Sequence, residues 1–149
     1  MNPKISQAIT GGIVATIAMT LFMMIAPMMG MPKMSPPAML SMMIGFPIAV
    51  GWIMHFMIGI IFALIYALLF ANLLKKINNK IYKGAIFGLA AFLFAQIGFA
   101  IMGAMFGDMP PPEGSMMLMM IGSIMGHIIF GIVVVLFEKG QTQRSTTLN

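Results

Sequence analysis

Cysteine is absent from the 149 residues, which excludes disulfides, thiolate metal sites and cysteine nucleophiles. Carboxylates are almost absent: Asp108, Glu113 and Glu138 are the only three. None is paired with another inside an apolar stretch. HExxH, G-x-S-x-G, a P-loop and a strand-to-helix GxGxxG are also missing, so the reading is of a non-enzymatic protein. Charge of either sign is scarce, at 7% of residues, where a water-soluble domain carries about 25%. Polar runs are lacking too, apart from the tail "EKGQTQRSTTLN" over residues 138–149, which reads as a solvated cytoplasmic end.

What is present is apolar. Hydrophobic residues make up 60% of the chain, and they fall into four segments, about Ala8 to Met29, Val50 to Leu74, Ile81 to Phe106 and Ser115 to Phe137. Each can cross a hydrocarbon layer of about 30 Å as a helix. The expectation is an all-α integral membrane protein whose residues 1–149 form a single membrane domain of four transmembrane helices. The first apolar run has no clean small-x-small cleavage site, so it reads as an uncleaved span.

The net charge of +5 comes from a few lysines and one arginine in short connections, a topology signal rather than a nucleic-acid footprint. Lys4 precedes the first segment, "KKINNKIYK" joins the second to the third, and Lys139 with Arg144 follow the fourth. The opposite side holds Lys33 with Asp108 and Glu113, the two acids reading as solvated loop charge. The positive-inside rule then places both termini and the middle loop in the cytoplasm. Trp52 and Tyr82 fit interfacial anchors on opposite faces.

The first outer connection, "GMPKMSPPAMLSMMIGFPIAV", is too apolar for a surface loop and too rich in proline for a span. Ser35 can cap a short interfacial helix that starts at Pro36 and stops near Gly45.

Shifting the chain against itself by 72 residues aligns Gly12 with Gly84, Leu21 with Leu93, His55 with His127, Gly59 with Gly131 and Leu64 with Leu136. The only two histidines coincide. This predicts two tandem helical hairpins, repeat 1 over about 8–74 and repeat 2 over about 81–137, related by a pseudo-twofold axis along the membrane normal.

Steps of four along the second segment give Gly51, His55, Gly59, Ala63, Ala67 and Ala71; the fourth segment has Ser123, His127 and Gly131, with Gly122 and Gly126 alongside. Small residues at this spacing let helix backbones approach, so both histidines point into the bundle or an oligomer contact. Three readings compete for them. One is a packing histidine bonded to Thr16, Thr20, Gln96, Ser123 or a carbonyl. The second is bis-histidine ligation of a b-type haem. The third is a soft-metal site shared with methionine.

The methionines favour the last. Of 21, seven lie in Met28 to Met43 and seven in Met102 to Met120, whereas none lies between Ile58 and Ile101. Thioethers select Cu(I), and they do not form disulfides in an oxidising compartment. The pairs Met39 with Met43, Met105 with Met109 and Met116 with Met120 have the spacing that puts two sulfurs on one helix face. Adaptable apolar filling is the rival use of methionine.

The run "GSIMGHIIFGIV", with "KGAIFGLAAFLFAQIGFAIMG" before it, resembles the last two helices of uncharacterised bacterial four-helix membrane proteins that carry an H-x-x-[FY]-G element, here His127, Phe130 and Gly131. The resemblance implies a fold and no activity. Together these readings predict a protein of a bacterial inner membrane, its Met-rich loops on the periplasmic side. It would take up or deliver Cu(I). A haem-b electron-transfer subunit and a ligand-free assembly subunit are the alternatives. The bilayer is the expected partner, the GxxxG pairs Gly84 with Gly88 and Gly122 with Gly126 permit a homodimer or larger complex, and no nucleic acid is expected.

Overall fold

The computed structural model describes residues 3–107 and 114–138. These are helical, with no strand among them. We number the helices α1 (Pro3–Ile25), α2 (Pro36–Ile44), α3 (Ile48–Leu73), α4 (Lys80–Phe106) and α5 (Met116–Phe137). The chain is thus an all-α protein with four helices long and apolar enough to span a membrane, α1, α3, α4 and α5. Ile53, Leu68, Leu93 and Ile101 are more than half exposed on their outer faces. Such continuous apolar exteriors require a hydrocarbon solvent rather than water.

Local chemistry sets the boundaries. The α-helical part of α1 gives way at Pro27 to a 3-10 turn over Ala26–Met29, because proline cannot continue the intrahelical hydrogen bonds. Ser35 caps α2, its Oγ accepting the Ala38 N–H at 3.4 Å, with Pro36 in the first turn. Gly45 closes α2 at φ 70°, where a side chain would be strained. Asn79 caps α4 by accepting the N–H groups of Ile81 and Tyr82 at 2.9 and 3.3 Å. The one large departure from the hydropathy boundaries is the start of α1 at Pro3 rather than near Ala8. The added turn holds Lys4, Ser6 and Gln7, which form a helix without being apolar.

Neighbouring helices run antiparallel. α1 packs on α3 and on α5, α4 packs on α5, and α2 folds back onto α3 and touches α4. Glycine makes two of these seams close. A methyl added to Gly12 would lie 2.9 Å from the Ile60 Cα and 3.0 Å from the Gly59 carbonyl oxygen, and one on Gly84 would strike Ile132 and the Gly131 carbonyl. The α1/α3 and α4/α5 seams therefore meet at positions 72 apart on both of their helices. The remaining two sides of the bundle are unlike. α1 and α5 pack along their length, whereas among the described residues the ring contacts from α3 to α4 are those of Tyr66 and Phe70 with Phe87, at centroid distances of 4.8 and 5.2 Å. The core sits at that end, around Ala15, Met19, Met23, Ala63, Tyr66, Phe87, Phe130, Val134 and Val135.

A π-helical turn over Tyr66–Phe70 interrupts α3. Gly51, His55, Gly59 and Ala63 are buried, as the four-residue step requires, but the next buried residue is Tyr66 rather than Ala67. A π turn accommodates an extra residue and rotates everything beyond it. Tyr66, at the start of the turn, donates its hydroxyl to Glu138 Oε2 at 2.8 Å.

Candidate functional site

Because α3 and α4 meet only at one end, a cavity of about 550 Å³ opens between them, backed by α1 and α5 and roofed by α2. Pockets of a few hundred cubic ångströms that are mainly apolar with a few fixed polar groups are the usual form of small-ligand sites. Both histidines line it, and so do eight methionines: Met19 and Met23 of α1, Met34 and Met39 before and within α2, Met102 of α4, and Met116, Met119 and Met120 of α5. Phe94 and Phe99 of α4 and Phe130 of α5 complete its apolar wall. No carboxylate is among the described residues that line it.

The histidines are held differently. His55, 7% exposed, faces α1, where its Nε2 lies 3.0 Å from Thr20 Oγ1. That hydroxyl donates to the Thr16 carbonyl at 2.7 Å, and the Thr16 hydroxyl in turn donates to the Gly12 carbonyl at 2.7 Å. The His55 ring also lies edge-on to Trp52 at 6.4 Å. His127 turns to its own helix, its Nδ1 lying 2.8 Å from the Ser123 carbonyl oxygen, and Phe92 of α4 meets its ring edge-on at 5.6 Å. Among the described residues no sealed side-chain nitrogen or oxygen lacks a partner. The second nitrogen of each ring has no hydrogen bond, so it reaches open space, and both rings border the cavity.

The fold gathers only part of what the sequence singled out. His55, His127, Met39, Met116, Met120, Thr16, Gln96, Ser123 and Gly59 line the cavity. Gln96 also directs its Nε2 at the Met120 sulfur, 3.9 Å away. Thr20 stands behind His55. Met43 is buried in α2 away from the cavity lining, and Met105, 70% exposed near the end of α4, faces outward. Met109 lies outside the described residues.

The packing glycines sit at close approaches. Gly51 faces the Pro37 carbonyl of α2, Gly59 faces the Thr16 hydroxyl, and Gly131 faces the Gly84 carbonyl and the Gly88 backbone. Gly122 faces the end of Met34 and Gly126 the end of Met23. Both GxxxG pairs are therefore taken up within the chain: Gly84 and Gly88 by α5, Gly122 and Gly126 by methionine side chains. Sequence reasoning missed Met19, Met23, Met34, Met102 and Met119. Met19 and Met23 were within reach, since they extend the Thr16 and Thr20 face at helical spacing.

Among the described residues, no group of three or more His, Cys, Asp or Glu side chains could hold a metal ion. A family model described as "Family of unknown function (DUF6789)" matches residues 2–148. No curated protein and no solved structure matches the chain.

Proposed function

The chain belongs to that family of unknown function (DUF6789), and from this premise we propose that it binds a soft monovalent metal, Cu(I) first, in the cavity between α3 and α4. The observation that supports this reading is the ligand set: among the described residues, two imidazoles, each with one nitrogen left without a hydrogen bond, share a cavity with eight thioethers and no carboxylate. Soft sulfur and imidazole donors suit Cu(I), whereas magnesium, calcium and manganese favour carboxylate oxygens, which the described lining does not supply. The role is non-enzymatic: uptake, delivery or resistance.

In this reading the chain consists of two tandem hairpins in a bacterial inner membrane. The lysine-rich end and both termini face the cytoplasm, and the Met-rich mouth faces the periplasm. The lysine distribution supports that orientation. A cysteine placed at Ser115 then labels from outside and one at Asn78 only from inside; the reverse pattern would remove the compartment argument for copper.

The decisive experiment is to purify the protein in detergent, load it with Cu(I) under reducing conditions and measure bound metal. We expect a colourless protein that holds stoichiometric Cu(I) against a chromophoric chelator. Loss of binding is expected in His127→Ala and in a Met116→Leu, Met120→Leu double variant.

A b-type haem is the second reading, because about 550 Å³ is more room than one ion fills. It ranks lower because His55 has its Nε2 engaged by Thr20, so the two rings offer unlike nitrogens. A Soret band abolished by His127→Ala would put haem ahead of copper. A protein that takes neither ligand after reconstitution would be an assembly subunit.

A further inference from the structure

We infer that His55 and His127 meet the cavity as opposite tautomers, and that Thr20 is the positioning residue that sets the tautomer of His55. A neutral imidazole has one N–H and one lone pair, and in an apolar setting the N–H needs an acceptor. For His127 the only hydrogen-bond partner among the described residues is the Ser123 carbonyl at Nδ1, and a carbonyl can only accept. The ring is therefore protonated at Nδ1, and its Nε2 lone pair is free.

For His55 the only hydrogen-bond partner among the described residues is Thr20 Oγ1 at Nε2. A threonine hydroxyl can accept or donate, so the distance alone does not choose. The Thr20 proton is already committed to the Thr16 carbonyl at 2.7 Å, which leaves only lone pairs toward His55. The alternative, a Thr20 hydroxyl donating to the ring, would place the imidazole proton on Nδ1, where no acceptor among the described residues meets it. His55 is therefore protonated at Nε2, and its Nδ1 lone pair is free.

The second hairpin has no equivalent of Thr20. The position 72 residues on is Phe92, which presents a ring edge to His127 and no hydroxyl. His127 consequently turns to its own helix for an acceptor. The cavity thus receives one Nδ1 and one Nε2 donor, an unsymmetrical pair, although the two residues occupy matching sequence positions. A ligating histidine whose other nitrogen is anchored to a carbonyl or hydroxyl is held in one orientation, and losing such an anchor typically costs about 10–100-fold in metal affinity.

The consequence for copper rests on the reading proposed above; the tautomers themselves do not. The full-length protein, labelled with ¹⁵N-histidine and held in lipid nanodiscs at alkaline pH, reports the protonated nitrogen of each ring by long-range ¹H–¹⁵N correlation. His127→Ala isolates the His55 signals. We expect Nε2–H for His55 and Nδ1–H for His127 in wild type. Thr20→Val should release His55 to a mixture of tautomers and leave His127 unchanged, while Thr20→Ser should retain the wild-type pattern.

With Cu(I), Thr20→Val should lose about tenfold or more in affinity and Thr20→Ser should keep it. Nδ1–H on His55 in the metal-free wild type, or a Thr20→Val spectrum identical to wild type, would overturn the inference. Wild-type protein that shows the expected tautomers but binds no Cu(I) would sink the copper reading alone.

Discussion

The two hairpins place a histidine at corresponding positions and supply it differently. In the α1/α3 hairpin the neighbouring helix provides a hydroxyl, through the relay of Thr20 to the Thr16 carbonyl. In the α4/α5 hairpin it provides a phenylalanine edge, and the acceptor is local. The glycine seams beneath them coincide in register, Gly12 against Gly59 and Ile60, Gly84 against Gly131 and Ile132. Backbone geometry is thus common to the two halves while hydrogen bonding is not. The lesson is that two hairpins can share the register of their glycine seams and still differ in the polar groups beside them.

The comparison can be broken most severely at the seam. Gly131→Val would drive its side chain into the backbone of Gly84 and Gly88, which cannot yield. We expect a loss of about 3 kcal/mol or more, seen as aggregation or a large fall in the detergent unfolding midpoint. Next in size is Thr20→Val, which leaves the His55 N–H without an acceptor. Equilibrium unfolding should show a loss of about 2 kcal/mol. Phe92→Leu, its counterpart in the other hairpin, should cost a comparable amount through packing but leave both tautomers as they are.

Gly59→Ala is milder, because the atom in its way is the Thr16 hydroxyl rather than backbone. About 1 kcal/mol should be lost, and adding Thr16→Ala should recover part of it in a double-mutant cycle. Smallest is Tyr66→Phe, which removes only the hydrogen bond to Glu138 and should cost about 0.5–1 kcal/mol.

The parts of this architecture that depend on solvent preference were legible in the residues. Four apolar stretches of spanning length gave the helices, and Ser35, Pro36 and Gly45 gave the short helix between the first two. The small-residue step was legible as far as Ala63. Beyond it the π turn breaks the four-residue step without altering composition: Tyr66 is the next buried residue, Ala67 is only half-buried, and Ala71 still packs against the core. The cavity was legible only in part. Methionine density drew attention to Met105, which faces outward, and away from Met19 and Met23, which line the cavity from α1. Density along a chain says nothing about direction around a helix. The parting of α3 from α4 could not be read at all, because the apolar residues that line a gap are the same as those that would close it.

That parting gives the bundle a mechanical character. α3 and α4 are joined where Tyr66 and Phe70 meet Phe87 and are separate above it, so the aromatic cluster acts as a fulcrum. From Phe87 to Met102 the arm along α4 is about 22 Å at 1.5 Å per residue. A tilt of only about 5° about the aromatic pivot would therefore carry Met102, which lines the cavity, through about 2 Å. Small rotations at the lysine-rich end are magnified at the methionine-rich end, and the lever needs no hinge within the helix itself.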